Sequence, residues 1–447
     1  MDTPIADFVR NYIKSGVSRL HMPGHKGLGP LGCEPWDITE VAGADALYEA
    51  GGIIAQSQQN AARNFGSRAT FYATEGSSQC VKAMLRLCLQ SRPAGTPPVL
   101  LAARNVHRSF VHAAALLDIE PVWLWPEGSN PSLCACPVTA EGLARTLESL
   151  PAPPAAVYVT SPDYLGGTAD IAALAAVCHD HNTLLAVDNA HGAYLRFLSP
   201  SRHPLDLGAD LCCDSPHKTL PVLTGGAYLH ISKSAPAELA EWAPAALSLF
   251  GSTSPSYLTL ASLDLCNRYL SEDYPTLLKD SVAALDALRA HLRNAGWAVC
   301  PSDPLRLTLD GAASGLSGTE LASLLRQGGV ECEYADDTYT VLMATPENTG
   351  ADLDRVANAL KENRRPPLPR PSLPVARGEQ VLSLREALFA PQETVPTAKS
   401  LGRICGAPTV SCPPAIPIAV SGERIGPEAL TLFHRYGVEQ VDVVKAK

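Results

Sequence analysis

Short apolar runs alternate with amphipathic stretches between about residue 60 and residue 250. Runs of this length predict buried strands, and apolar residues at helical spacing between them predict helices. Strands that alternate with helices favour an α/β fold with a mostly parallel central sheet and helices on both faces. Ligands bind such sheets at the carboxyl ends of the strands, so we expect the chemistry there. The strand predictions are 70–73, 99–101, 156–160, 184–187 and 227–230, and the helix predictions include 79–89 and 171–179.

Changes of pattern divide the rest of the chain. Residues 1–60 are predicted to form an N-terminal arm, and residues 61–255 the large domain. The pattern over 256–363 predicts connecting helices and then a small α+β domain. The proline-rich stretch 364–371 is typical of a linker. With the segment after it, this linker makes a fourth region, 364–447.

Composition and charge narrow the class of protein. The chain has 447 residues, of which 46% are hydrophobic, and lacks an apolar stretch long enough to predict a membrane span. Its first residues, 1–4, do not resemble a secretory signal, so we expect a cytoplasmic protein. A net charge of −10 argues against nucleic acid as a partner. The 13 cysteines lack zinc-ligand spacing, and no spacing supports a site built from Asp188, His191 and His217, so we expect no metal.

One lysine stands out because of its surroundings. Lys218 lies in the run DSPHKTLP (214–221), after an apolar stretch and before the turn-forming residues 223–226. A lysine in such a place can be a catalytic amine that bonds to the aldehyde of pyridoxal 5′-phosphate (PLP). Most lysines are surface charges, so the run needs support from the rest of a site.

That support comes from groups that follow the predicted strands in order. Residues 76–78 open a helix, where backbone N–H groups can bind a phosphate or serines can simply cap the helix. His107 suits either a ring that stacks on the cofactor or a loop cap. Asp188 ends a strongly apolar strand, where a buried carboxylate needs a partner such as a pyridinium N–H, or caps the next helix. Residues 160–167 follow another strand and could line the ring or the substrate.

Together these residues resemble the ornithine/lysine/arginine decarboxylase family in its short form. Its members are PLP enzymes of fold type I, the aspartate aminotransferase superfamily. The resemblance covers nearly the whole chain and implies a decarboxylase-type C-terminal domain. The sequence does not contain the N-terminal wing domain of the large members of the family. We therefore do not expect the assembly into large rings that depends on this domain. The matching segments are HMPGHKG (21–27), ATEGSS (73–78), RNVHRS (104–109), TSPDYLGGTADI (160–171), VDNAHGAY (187–194), DSPHKTLPVLTGGAYLH (214–230), TSPSYLTLASLD (253–264), SLREALFAPQETVP (383–396), SLGRICG (400–406) and PPAIPIAVSGERI (413–425).

The resemblance implies a role for each matching residue. Lys218 matches the lysine that forms a Schiff base with PLP, Asp188 the carboxylate at the pyridine nitrogen and His107 the ring-stacking histidine. Lys218 or His217 would return a proton to the substrate Cα. Because the segment at 253–254 can reach the neighbouring subunit's phosphate in this fold, a homodimer or higher homo-oligomer with shared active sites is implied. The expected cofactor contacts are Gly76, Ser77, Ser78, His107, Asp188, His191, Ser215, His217, Lys218, Thr253 and Ser254.

The sequence departs from the family pattern at three of these segments. Asn189 stands where Glu occurs, Glu75 where Asn is common and Arg108 where Lys is usual. A substrate with a cationic side chain needs a carboxylate at the far end of its pocket, while an arginine could contact a carboxylate or hold the C-terminal domain. The candidate substrate contacts are Glu75, Asp163, Glu333, Asp336, Glu386 and Arg403.

The implied activity is decarboxylation of arginine, lysine or ornithine to the corresponding amine and CO2, in polyamine metabolism. Two alternatives remain open. The first is another PLP reaction on the same fold, such as transamination or elimination. The second is a protein that binds PLP without catalysis.

Overall fold

The computed structural model of the protein describes residues 1–92, 94–126, 132–363, 365–369, 373–410 and 415–446. The helices are α1 (Pro4–Lys14), α2 (Ile53–Phe65), α3 (Ser77–Ser91), α4 (Arg108–Leu117), α5 (Ala140–Ser149), α6 (Ile171–Asp180), α7 (Pro216–Thr219), α8 (Glu238–Ser248), α9 (Tyr257–Ser271), α10 (Tyr274–Asn294), α11 (Gly318–Gln327), α12 (Gly350–Ala359), α13 (Leu384–Phe389) and α14 (Pro427–Arg435). The strands are β1 (Ala69–Ala73), β2 (Val99–Ala103), β3 (Glu120–Leu124), β4 (Ala156–Thr160), β5 (Leu184–Asp188), β6 (Leu211–Asp214), β7 (Ala227–Ile231), β8 (Arg306–Asp310), β9 (Tyr334–Ala335), β10 (Tyr339–Met343), β11 (Gln392–Pro396), β12 (Thr409–Val410), β13 (Pro417–Ala419) and β14 (Gln440–Val444).

The chain forms two compact units, each built from two separate stretches. The first unit comprises Met1–Gly95 with Ile171–Leu278, and the second comprises Thr96–Asp170 with Lys279–Lys447. The predicted division into arm, large domain, small domain and C-terminal domain stays a prediction. The predicted linker at 364–371 lies partly outside the described residues.

The first unit contains four neighbouring strands in the order β1-β7-β6-β5. β5 and β6 run parallel, whereas β7 is antiparallel to both β6 and β1. Every residue of β6 and β7 is buried, and α3 packs against both strands. Strands buried on both faces are continuous apolar runs, which is why the sequence pattern predicted β5 and β7. The carboxylates of Asp188 and Asp214 lie at the ends of the parallel pair.

The helices α1, α2 and α9 of the first unit pack together around a buried polar cluster. Asp264 of α9 accepts hydrogen bonds from the backbone N–H of Ala6 and the hydroxyl of Ser57. Burial raises the pKa of Asp264 to about 6 despite these hydrogen bonds. Asn267, one turn further along α9, donates to the hydroxyl of Tyr72 at 2.7 Å. The cluster therefore satisfies polar side chains that the helices bury.

The described residues of the second unit form three parallel strands, in the order β4-β2-β3, and three smaller antiparallel sheets. The sheet β8-β10-β9 packs against leucines of α10, α11 and α12 in one apolar core. The pairs β11-β14 and β12-β13 pack with α14 around a second core that contains Phe433. A buried ion pair between Arg104 and Glu423, 3.2 Å apart, joins the end of β2 to the segment after β13.

The predicted fold class, α/β with mostly parallel strands, is confirmed by the parallel pairing of β5 with β6 and of β2 with β3 and β4. The strands β3 and β6 were not predicted from the sequence as strands. Among the described helices, none is both long and apolar enough to cross a membrane.

Candidate active site

Lys218 lies on the short helix α7, directly after β6. Ser215 is the N-cap of this helix and Pro216 its first residue, where the missing N–H of proline costs nothing. The amine Nζ of Lys218 is 2.9 Å from Nε2 of His191. A hydrogen bond donated by Nζ to Nε2 of His191 requires that the ring proton of His191 lie on Nδ1. The structure thus brings Lys218 and His191, two of the expected cofactor contacts, within hydrogen-bond distance of each other, and their roles stay predictions.

Asp188 is the last residue of β5, and His191 lies on the loop that follows this strand. Asp188 is 3% exposed, and its Oδ1 accepts the backbone N–H of Ala190 at 3.1 Å. The thiol of Cys213, on the adjacent strand β6, lies 3.6 Å from the same oxygen. This loop closes with a hydrogen bond from Gly192 to the carbonyl of Asn189. The carboxylate at the end of β5 therefore lies three residues before the histidine that contacts Lys218.

The start of α3 offers unused backbone donors. Gly76 has φ +73°, and Ser77 and Ser78 form the first turn. Within the described residues, no side chain caps this helix end. The N–H groups of a first helical turn point outward and favour an anion. This geometry suits the predicted phosphate site at residues 76–78.

The turn at residues 223–226 links α3 to α7. The N–H of Gly76 donates to the carbonyl of Gly225 at 2.7 Å, and Nδ1 of His217 donates to the carbonyl of Gly226 at 2.8 Å. Gly225 has φ +98°, and a Cβ there would lie 2.7 Å from the carbonyl oxygen of Thr74. Only glycine allows this approach. The turn at residues 223–226 therefore holds the predicted phosphate site at residues 76–78 and the helix α7, which carries Lys218, next to each other.

Two further groups on α7 bear on its chemistry. The hydroxyl of Ser215 is fully buried and has no hydrogen-bond partner among the described residues. Burial lowers the pKa of His217, so its ring is neutral near pH 7. Because Nδ1 of His217 carries the proton that bonds Gly226, Nε2 is the basic nitrogen.

Glu75 contacts the backbone of a neighbouring loop. Its carboxylate accepts the N–H of Ser252 at 2.7 Å, and the N–H of Ser254 donates to the hydroxyl of Ser252. Thr253 and Ser254 are exposed in the single chain. Glu75 therefore orders the segment that the resemblance assigns to a neighbouring subunit's phosphate.

The remaining predicted residues lie in the second unit, where each has a local partner. His107 caps α4 by accepting the N–H of Ser109 on Nδ1. Burial raises the pKa of Asp163 to about 6, although the N–H groups of Gly167 and Leu165 bond to its carboxylate. Their functional roles stay predictions. Glu333 accepts from Tyr164, Asp336 from Tyr334, Thr338 and Tyr339, Glu386 from Ser383 in a capping box, and Arg403 pairs with Glu393.

The sequence analysis missed a buried polar group, Asp214, which lies just before the helix α7 of Lys218. Asp214 is fully buried at the end of β6, and its carboxylate accepts from His203, His230 and Asn189. Burial alone would raise the pKa of Asp214, but the two histidines hold it below its ordinary value. The sequence did carry a signal, since Asp214 ends an apolar strand as Asp188 does.

The profile of the family described as Orn/Lys/Arg decarboxylase, major domain, matches residues 3–313. The chain belongs to this family. The expected enzyme class, an amino-acid decarboxylase, is confirmed at that level, and the enzymes of the family depend on PLP.

Relatives cover almost the whole chain. The uncharacterized protein YaaO of Bacillus subtilis is 29% identical over 97% of this chain and 94% of its own length. An arginine decarboxylase of the same species is 26% identical over 97% and 93%, respectively.

Solved structures give the fold. The lysine decarboxylase LdcF of Francisella novicida aligns with a TM-score of 0.81 at 16% identity, over 99% of this chain and 81% of its own. The serine palmitoyltransferase of Sphingomonas wittichii aligns with a TM-score of 0.55 at 15% identity, over 80% and 83%. These alignments confirm the predicted fold of type I PLP enzymes.

Proposed function

We propose that this protein is a PLP-dependent decarboxylase that converts arginine, lysine or ornithine to the corresponding amine and CO2, in polyamine metabolism. The observation that supports the proposal most directly is the contact of Lys218 Nζ with His191, three residues after Asp188 at the end of β5. Membership of the family supports the reaction class. The name of the Bacillus subtilis arginine decarboxylase favours a basic substrate.

The residues of the first unit fit PLP. The buried hydroxyl of Ser215 and the first-turn N–H groups of Ser77 and Ser78 offer hydrogen-bond donors for a phosphate. Lys218 offers the amine that holds the aldehyde, and Asp188 offers an anion for the ring nitrogen. Gly225 allows the turn at residues 223–226 to approach the carbonyl of Thr74, just before the predicted phosphate site.

When bound, PLP would supply an electron sink for the pair of electrons left by CO2. Asp188 would hold a proton on the ring nitrogen, because a buried carboxylate stabilises a nearby cation. Nε2 of His191 lies 2.9 Å from Nζ of Lys218 and so directs the amine. After CO2 leaves, Lys218 Nζ would deliver a proton to the substrate Cα, or Nε2 of His217 would do so once it has taken up a proton. Ring stacking by His107 stays a prediction.

The assembly proposal is a homodimer or larger homo-oligomer with shared sites. Thr253 and Ser254 are exposed and held by Glu75, as expected of a segment that contacts a neighbouring subunit. The protein is proposed to be cytoplasmic, with a small basic amino acid as its substrate. The six candidate substrate contacts stay predictions.

The test is an assay of purified protein and PLP with arginine, lysine and ornithine in separate reactions. We expect CO2 and the matching amine from one of them, and a Lys218→Ala variant should lose turnover and the absorbance of covalently bound PLP. An absorbance change without CO2 would support another PLP reaction. No change with any amino acid would support PLP binding without catalysis, and a fully active Lys218→Ala variant would refute the proposal.

A further inference from the structure

A buried hydrogen-bond network crosses the strands of the first unit and ends beside Asp188. Oδ2 of Asp214 lies 3.1 Å from Nε2 of His203 and 3.2 Å from Nε2 of His230. Its Oδ1 accepts from Nδ2 of Asn189 at 2.7 Å. On the far side, Nδ1 of His230 is 2.8 Å from the hydroxyl of Thr70 on β1. The network therefore connects β1, β7 and β6 to the loop after β5.

The tautomer of His203 follows from its second contact. Nδ1 of His203 accepts the N–H of Leu205, so Nε2 carries the proton that points at Asp214. Burial lowers the pKa of His230, which favours its neutral ring. His203, Asp214 and His230 are close enough together to suggest a metal site, but a protonated Nε2 is not a metal ligand. The cluster is better described as one carboxylate that accepts hydrogen bonds from His203, His230 and Asn189.

We infer that Asn189 and Asp214 are positioning residues that fix the loop after β5, which carries His191, against the helix α7, which carries Lys218. The two segments meet twice. At one end Asn189 bonds to Asp214 through its side chain and to the carbonyl of Cys213 through its N–H. At the other end His191 contacts Lys218. The bond between Asn189 and Asp214 and the contact between His191 and Lys218 thus hold the same two segments together at two points. The catalytic meaning of the second contact rests on the proposed function.

The identity of residue 189 is matched to this network. Asp214 is an ionised carboxylate, and an amide at position 189 supplies it with a donor. A carboxylate at that position, as in the family pattern, would face Asp214 inside the protein. Two buried carboxylates at hydrogen-bond distance share one proton. The departure of Asn189 from the family pattern is therefore coupled to Asp214.

The pairing is tested first in the protein without PLP, with N189D, D214N and the double variant. The unfolded carboxyl titrates near pH 4 (about 3.9), whereas one carboxyl of the folded N189D pair keeps its proton to higher pH. The decrease in the free energy of unfolding caused by N189D is therefore small below about pH 4 and grows as the pH rises above it. The double variant restores one amide and one carboxylate, so it should recover much of this loss. His203, His230, Cys212 and Asp188 face the pair in every variant.

The positioning role is tested by the reactivity of Lys218. Reductive methylation of the protein without PLP, followed by peptide mass spectrometry, measures the reaction rate of this one amine. We expect a change of about tenfold in N189D and a return to within about threefold of wild type in the double variant. N267D is the matched control, because it places a second buried carboxylate near Asp264 in α9. The side chain of Asn267 bonds to Ser57 and Tyr72 and not to the Asp214 network.

N267D should lose stability without changing the reactivity of Lys218. The inference is wrong if N189D and N267D change that reactivity equally, or if the double variant is no better than the sum of the single ones. Neither readout needs PLP or substrate. A failure of the proposed function would appear instead as wild-type protein that neither captures PLP nor releases CO2.

Discussion

Single residues set the protonation and the spacing of the candidate site. His217 uses Nδ1 in a hydrogen bond to the carbonyl of Gly226, which leaves Nε2 as its basic nitrogen, and Nε2 of His191 lies 2.9 Å from Nζ of Lys218. Gly225 is needed for a different reason, because its backbone has φ +98° and approaches the carbonyl of Thr74. At this scale the geometry depends on atoms separated by less than 3 Å, so small changes should be measurable.

Replacing Gly225 by alanine should weaken PLP binding. The new Cβ would lie 2.7 Å from the carbonyl of Thr74 and displace the loop before α3. We expect the PLP dissociation constant to rise by roughly tenfold or more, since backbone strain of this kind costs about 1–3 kcal/mol. Equilibrium titration of the absorbance would measure it.

Gly16→Ala is the matched control for Gly225→Ala. Gly16 has φ +65°, but a Cβ there meets nothing within 4 Å. Its replacement should lower stability and leave PLP affinity unchanged. Equal effects of the two substitutions on PLP affinity would contradict the role assigned to the turn at residues 223–226.

At the scale of elements, one buried ion pair fixes the end of β2 to the C-terminal part of the second unit. Arg104 donates to the carboxylate of Glu423 and to the carbonyls of Pro417 and Ile418. Its guanidinium also lies over the ring of Trp123. Burial raises the pKa of Glu423, although Arg104 acts in the opposite direction. Burying the two charges therefore costs free energy, and removing one of them also costs free energy because the other stays buried without its partner.

Replacing Arg104 by alanine should destabilise the protein by about 3–5 kcal/mol, because it leaves the carboxylate of Glu423 buried without its partner. Urea unfolding followed by tryptophan fluorescence would measure the change. The control is Arg424→Ala, which removes the exposed pair with Glu379 and should cost at most about 1 kcal/mol. Equal costs would show that burial of the Arg104 pair is not what makes it important.

Local sequence patterns predicted elements better than they predicted partners. The strands β4, β5 and β7 agree with the predicted strands within one residue, because each is a short apolar run. Predicted substrate carboxylates such as Glu386 instead have structural contacts nearby, here the N-terminus of α13. A carboxylate's partner depends on which chain segments fold next to it, and residue spacing does not contain that information.

At the scale of the whole molecule, the proposed shared site makes the assembly part of the chemistry. Thr253 and Ser254 are exposed in one chain, and Glu75 holds their segment in place. If the segment serves a neighbouring subunit's phosphate, neither subunit has a complete site alone. Activity should then depend on how two defective subunits are combined.

Mixing Lys218→Ala subunits with Ser254→Asp subunits should restore activity. Each hybrid dimer would contain one site with an intact lysine and an intact neighbouring segment. Random exchange at equal amounts gives about one quarter of the wild-type activity, since half of the dimers are hybrids with one of two sites intact. Activity no greater than the average of the two parent variants would contradict a shared site.

The sequence by itself determined the family, the α/β class and the order of the residues that bind PLP in this proposal. Those properties are local, because strand runs, helix starts and motifs depend on residues close together in the chain. The tertiary structure alone decided that His191 contacts Lys218 and that Asp214 is shared by His203, His230 and Asn189. These contacts join segments that are 11 to 27 positions apart, and they exist only because β5, β6 and β7 are neighbours in one sheet.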